Sequence, residues 1–179
     1  MNINSYDSTL DNGMFYTKVD NIYVMLFTAL MFNDLSRVDH KVSDKVMEQY
    51  APIVEQYKNK NQRHMYGQLN VKSTEITNIH LDEEGNILVN VRLVGRFLDY
   101  VIDLATRKKI SGDDQIRTER VYDLVLKKSA NAKKLSESRH CPSCGQHADL
   151  SNTGKCPSCG TIFNLEDYDY ILESIDVVG

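Results

Sequence analysis

The strongest constraint on this chain is where its sulfur sits. All four cysteines fall in one doubled motif, Cys141-Pro142-Ser143-Cys144-Gly145 and, eleven residues further on, Cys156-Pro157-Ser158-Cys159-Gly160. Each such segment makes a tight knuckle: two thiolates converge, proline fixes the approach, and glycine permits the positive-φ turn that aims backbone amides at sulfur. Two knuckles complete a tetrahedron, the geometry of a structural Zn2+ held by Cys141, Cys144, Cys156 and Cys159. A closed shell of four sulfurs leaves no position for water, so the ion is expected to be structural and not catalytic. His140 and His147 are then solvated or outer neighbours of the sulfurs, not ligands.

Two other uses of four cysteines are weaker. Paired disulfides belong to exported chains, and the first residues carry Asp7 and Asp11 with no early Lys or Arg, unlike a secretory leader. Iron in a rubredoxin-like centre uses the same knuckles, usually across a much longer spacer. The 39 residues after His140 lie near the lower limit for a self-sufficient core. Metal binding, worth roughly 10–16 kcal/mol in comparable peptides, is therefore expected to supply their folding energy, and their loss of metal to leave a disordered tail.

Charge divides the chain at the same place. Residues 141–179 hold Lys155 against Asp149, Glu166, Asp167, Asp169, Glu173 and Asp176, while the preceding 140 residues are close to neutral. An acidic ribbon repels phosphate backbones, so no nucleic-acid partner is expected even though zinc ribbons often serve as nucleic-acid adaptors. The longest apolar run, Ile22 to Phe32, is too short to cross a bilayer and is broken by Thr28. The location expected is cytoplasmic, with room for peripheral attachment at the inner face of a membrane.

Upstream, the hydrophobic period changes once. Phe15, Val19, Ile22, Tyr23, Leu26, Phe27 and Leu30 recur in steps of three and four, which predicts a helix from Asn12 to Asn33 capped by Asn12 or Asp11. A second helix is predicted from a Ser43 cap, with a kink or a fresh start at Pro52. Beyond Gly67 the period is two. Val71, Ile76 and Ile79, then Ile87 to Leu104, predict antiparallel strands joined by the turn Asp82 to Asn86, with Gly95 as a bulge or bend. A polar loop through Ser111 to Asp114 is predicted to lead into a last strand, Thr118 to Lys127. The chain thus divides into an α+β domain over 12–128, a linker over 129–140 and a zinc ribbon with an acidic aromatic tail over 141–179.

Several segments carry a resemblance: Phe15 to Leu35 with its ending NDLSRV, FLDYVIDLATRKKISGDD from Phe97 to Asp114, ERVYDLVLKK, the two knuckles, and the tail EDYDYILESI, where Tyr170 replaces an expected tryptophan. From about Phe15 to Ile175 the chain resembles a bacterial family that joins a Tim44-like domain to a C-terminal zinc ribbon. The resemblance implies a cystatin-like cone of the nuclear-transport-factor-two type, with N-terminal helices packed over one face of a curved antiparallel sheet. It also implies a transport-associated role; the absence of a catalytic pattern among the residues makes a non-enzymatic interaction module the expectation.

Such a cone commonly encloses an apolar pocket, for which Tyr16, Tyr23, Phe27, Tyr50 and Tyr100 are the candidate lining, with plain core packing as the alternative. The guest would be a peptide, a lipid or a partner segment, and the ribbon a docking element. The same fold hosts lyases and isomerases; Asp99, Asp103 and His80 are the titratable candidates for that reading. No nucleophile-base arrangement or phosphate-cradling loop accompanies them.

Overall fold

The computed structural model describes residues 1–132, 144, 156–160 and 169–179. Helix α1 spans Asn12–Met31 and α2 spans Asp44–Asn59, followed by four strands: β1 Gln62–Leu81, β2 Ile87–Asp103, β3 Lys109–Lys128 and β4 Ile171–Val177. The strands form one antiparallel sheet in the order β1-β2-β3-β4, and both helices contact β1. Two helices on a curved four-stranded sheet are the α+β architecture expected from the change of period.

The predicted apolar stripe of α1 is buried as a whole, and the Asp11 side chain caps the helix by accepting from the Met14 amide. Ser43 caps α2 in the same way. Pro52 neither ends nor restarts α2, which runs through it. Pro52 and its neighbours are exposed, as is Glu48, so the carbonyl deprived of a donor by the proline is on the solvent side. No loop follows: Asn61, at φ 51°, turns the chain directly into β1.

The core is a set of cross-strand rows beneath the helices. Ile79, Val89, Leu126 and Leu172 pair across all four strands, as do Ile76, Val91, Leu124 and Ile175. All eight are buried, and such directly opposed apolar pairs are the unit of sheet stability.

Strands of 20, 17 and 20 residues exceed ordinary length, and they are accommodated by irregularities. β1 shifts register against β2 between Gly67 and Asn70, Val71 and Ser73, and Ile76 and Asn78. These bulges bend an otherwise open edge strand and discourage further pairing along it. Gly95, expected as a bulge or bend, pairs with Arg120 on β3 and, on β1, with Val71 beside the register shift between Val71 and Ser73. Its missing side chain makes room for the phenol of Tyr23, whose Cζ would lie 2.8 Å from a Cβ added there. Gly95→Ala is therefore expected to lower stability by about 1–3 kcal/mol, measured as a fall in the urea midpoint at unchanged slope.

The segment Ser111 to Asp114, expected as a loop, is part of β3. Gly112, at φ 85°, pairs with Tyr100, and the register then jumps so that Phe97 meets Thr118. The Asp113 carboxylate accepts from the amides of Gln115 and Ile116 and folds the extra residues into a wide bulge.

The largest departure from expectation is the tail. Grouped with the ribbon by its charge, residues 171–177 are the fourth strand of the main sheet. Tyr170 is fully buried and meets Phe15 edge-on at 5.2 Å. The Leu172 amide and carbonyl bond to Lys41 and Ser43, the Ser43 hydroxyl donates to the Glu173 carbonyl, and the Gln49 side chain donates to Ile175. Lys18 pairs with Asp169 at 2.7 Å. Lys128, at the end of β3, reaches both the Tyr170 ring and the buried Asp7, 2.7 Å away. Burial opposes ionisation of Asp7, but hydrogen bonds from Lys128 and Thr9 outweigh it and hold the carboxyl below its ordinary value. The N-terminus, β3 and the tail are thus fastened at one point.

Candidate functional site

Three of the four sulfurs lie among the described residues. Sγ atoms of Cys144, Cys156 and Cys159 are all within 4.8 Å of one another. Cys144 and Cys156 are 3.8 Å apart, far beyond a disulfide bond of about 2.05 Å. Zinc–sulfur bonds of about 2.3 Å in a tetrahedron place neighbouring sulfurs about 3.8 Å apart, so this spacing fits one edge of a coordination sphere. Gly160 has φ 74° and its amide bonds to the Cys156 carbonyl, the turn expected of the knuckle. Three thiols placed in this way can hold one metal ion. Cys141, His140, His147 and most of the 129–140 linker lie outside the described residues.

The five candidate pocket residues are placed differently from one another. Tyr23 and Phe27 are core rings, packed at 4.5 Å on each other and against Tyr122. Phe27 also meets Tyr66 and Phe97, which closes the aromatic cluster under α1. Tyr16 and Tyr50 are partly buried against this core. Tyr100 alternates with Asp99 and Val101 along β2 and pairs with Met65, which puts it on the face away from the helices.

The titratable candidates are not brought together. His80 is exposed near the end of β1, and Asp103 caps the β2–β3 turn by accepting from Thr106. Asp99 lies on the helix side, in a cluster that sequence reasoning missed. One carboxylate oxygen contacts His64 Nε2 at 2.7 Å and the other accepts from Arg120 at 3.1 Å. Burial opposes ionisation of Asp99, yet the bonds from His64 and Arg120 hold its carboxyl below the ordinary value. The far side of the imidazole, Nδ1, lies 3.4 Å from the hydroxyl of Tyr57 and 3.3 Å from that of Tyr66, whose ring stacks on His64 at 4.3 Å. One helix and three strands contribute. The available signal was the alternation His64-x-Tyr66, which puts both side chains on one face of a strand.

At the same end of the body, where the α2–β1 junction is joined to the β2–β3 hairpin by the Leu104 amide on the Asn61 carbonyl, Phe32 is 44% exposed. The Arg37 guanidinium lies 4.3 Å from its ring centre and that of Arg63 5.2 Å. On the opposite face of the sheet an open groove of about 370 Å³ is bordered by Thr77, Asn90, Val125, Ser174 and Asp176 and by the Arg92–Asp123 ion pair. Among the described residues no helix is long and apolar enough to cross a membrane.

Two helices over a four-stranded antiparallel sheet, with three close thiols on the connection between the last two strands, define an α+β fold. The model of the Tim44-like domain matches residues 1–137, and the chain belongs to that family. The match ends before the knuckles and before β4. No curated protein matches the chain. Among solved structures, the crystal structure of the intermembrane space region of the chloroplast protein ARC6 is similar, with 8% identity and a TM-score of 0.42, over 88% of this chain and 92% of that one.

Proposed function

We propose that this chain is a non-enzymatic, transport-associated interaction module whose body receives a peptide, lipid or partner segment and whose ribbon is a zinc-stapled docking element. Cys141, Cys144, Cys156 and Cys159 would hold one Zn2+, which supplies fold to the ribbon and no chemistry. The observation that carries the interaction reading is Phe32, half exposed and bracketed by two arginines. Aromatic and arginine side chains dominate binding hot spots, and a ring already flanked by guanidinium groups loses little freedom when a partner covers it. Lys58 and Lys60 end α2 close by, so the same end suits an acidic partner or the headgroups of an anionic inner membrane face. A cytoplasmic protein meeting that face peripherally fits this surface.

The test is affinity capture from the native cell with intact protein and with the charge-reversed Arg37→Glu, Arg63→Glu chain. Partners held by the intact protein are expected to be lost from the variant, whose melting transition should persist. An identical set of partners on both would refute the assignment. For the ribbon, deleting everything after residue 140 would also remove β4. The informative variant replaces residues 133–168 with a flexible linker and keeps the tail. Unchanged capture by that variant would remove the docking role.

A further inference from the structure

At His64 two phenols converge on a single imidazole nitrogen. Its Nε2 faces the Asp99 carboxylate and carries the proton there, which leaves one lone pair, on Nδ1. Two phenols approach that lone pair, Tyr57 from α2 and Tyr66 from β1, both at long range. Burial raises the ionisation range of both phenols, so each is a donor near neutral pH. A single lone pair satisfies one of them. The other can donate to an oxygen from outside the protein, a water or a ligand.

We propose that His64, Tyr57 and Tyr66 form a carboxylate-binding site, in which the ligand enters between the two phenols and is taken up together with one proton on His64 Nδ1. The proposal rests on the interaction-module reading and names the group recognised. With His64 protonated, the imidazolium and both phenols aim three donors at one place, enough for the two oxygens of a carboxylate. The charges that face the imidazole are Asp99 from β2 and Arg120 from β3, with the phenols of Tyr50 on α2 and Tyr122 on β3 behind Tyr66. Asp99 and Arg120 cancel. The protonated site therefore carries a single positive charge, matched to a monoanion and not to a doubly charged phosphate. His64 and Asp99 retain 22% and 30% side-chain exposure, so the site is open to solvent on one side.

The test is calorimetric titration of the full chain with benzoate, at pH 7.5 in two buffers of different ionisation enthalpy. The heats should differ by the amount that corresponds to uptake of up to one proton, and affinity should fall as pH rises because the bound form holds the extra proton. His64→Gln should abolish the uptake and weaken binding about tenfold or more, and Tyr57→Phe with Tyr66→Phe should weaken binding while leaving the melting transition in place. No benzoate heat at millimolar ligand at pH 6, or proton uptake that survives His64→Gln, overturns the proposal. A short peptide with a free terminal carboxylate, run beside its amide, separates the sources: discrimination between them assigns the site to a peptide end, and binding of benzoate alone assigns it to a small organic acid. Benzoate binding without any captured partner would keep the site and remove the interaction-module reading; partner capture by the intact chain with no benzoate heat would do the reverse.

Discussion

A chain ending at residue 168 is expected not to fold. It loses β4, and with it Tyr170, Leu172 and Ile175, each at most 2% exposed and each packed into the one core of the body. Full burial of an apolar side chain of this size contributes about 1.5–3 kcal/mol, and a domain's whole margin is about 5–15 kcal/mol. Three such side chains, together with the β3–β4 ladder and the backbone bonds of Leu172 to Lys41 and Ser43, make up a large share of that margin. The truncated chain should show no cooperative thermal transition by far-ultraviolet circular dichroism. Leu172→Asp in the full-length chain checks the same claim without removing residues, and should lower the urea midpoint sharply by burying an unpaired charge. A truncated chain that melts like the intact one would show that β4 is dispensable. The family match over residues 1–137 is therefore not expected to mark an autonomous unit here.

Withdrawing the metal is expected to act on a different part of the molecule. If four thiolates hold an ion as proposed, they would contribute roughly 10–16 kcal/mol to the ribbon, so a chelator, or Cys156→Ser, should unfold it and release the ion. The strand beyond the ribbon should stay in place. Residues 129–170 form one connection between β3 and β4, and tying Cys141 to Cys159 shortens its effective length. Shortening a flexible loop by roughly 40% lowers its closure cost by only about 0.5 kcal/mol, small beside what Tyr170, Leu172 and Ile175 contribute by burial. Hydrogen exchange should thus show β4 amides protected to the same degree with and without chelator. Loss of that protection on chelation would mean that metal and sheet are coupled. This replaces the simpler expectation of a tail disordered throughout without metal: metal is expected to govern the ribbon, and the core the strand.

The parts legible in the sequence were those set by near neighbours along the chain. The α1 stripe from Phe15 to Leu30, the Asp11 and Ser43 caps and the Asp82 to Asn86 turn with Gly85 at positive φ each depend on residues within a few positions. What was missed depends on pairing across long separations. Nothing within 171–177 announces that its partners are 122–127 and the segment around Val42, so acidic charge placed it with the ribbon. Polar composition made 111–114 look like a loop, although Gly112 and Asp113 build a bulge inside a strand. The His64, Asp99 and Arg120 cluster needs three strands in register before it exists, and only Asp99 stood out beforehand. The closeness of Cys144, Cys156 and Cys159 was legible for the opposite reason, since knuckle spacing is written into a short stretch of sequence.

The most direct measurement is the intact mass of native protein purified without chelators. Four thiolates on one ion predict a single zinc per chain, lost on acid denaturation to leave a polypeptide with every cysteine reduced. A metal-free mass four hydrogens lighter than the reduced chain would mean two disulfides, and the zinc-stapled ribbon would have to be abandoned.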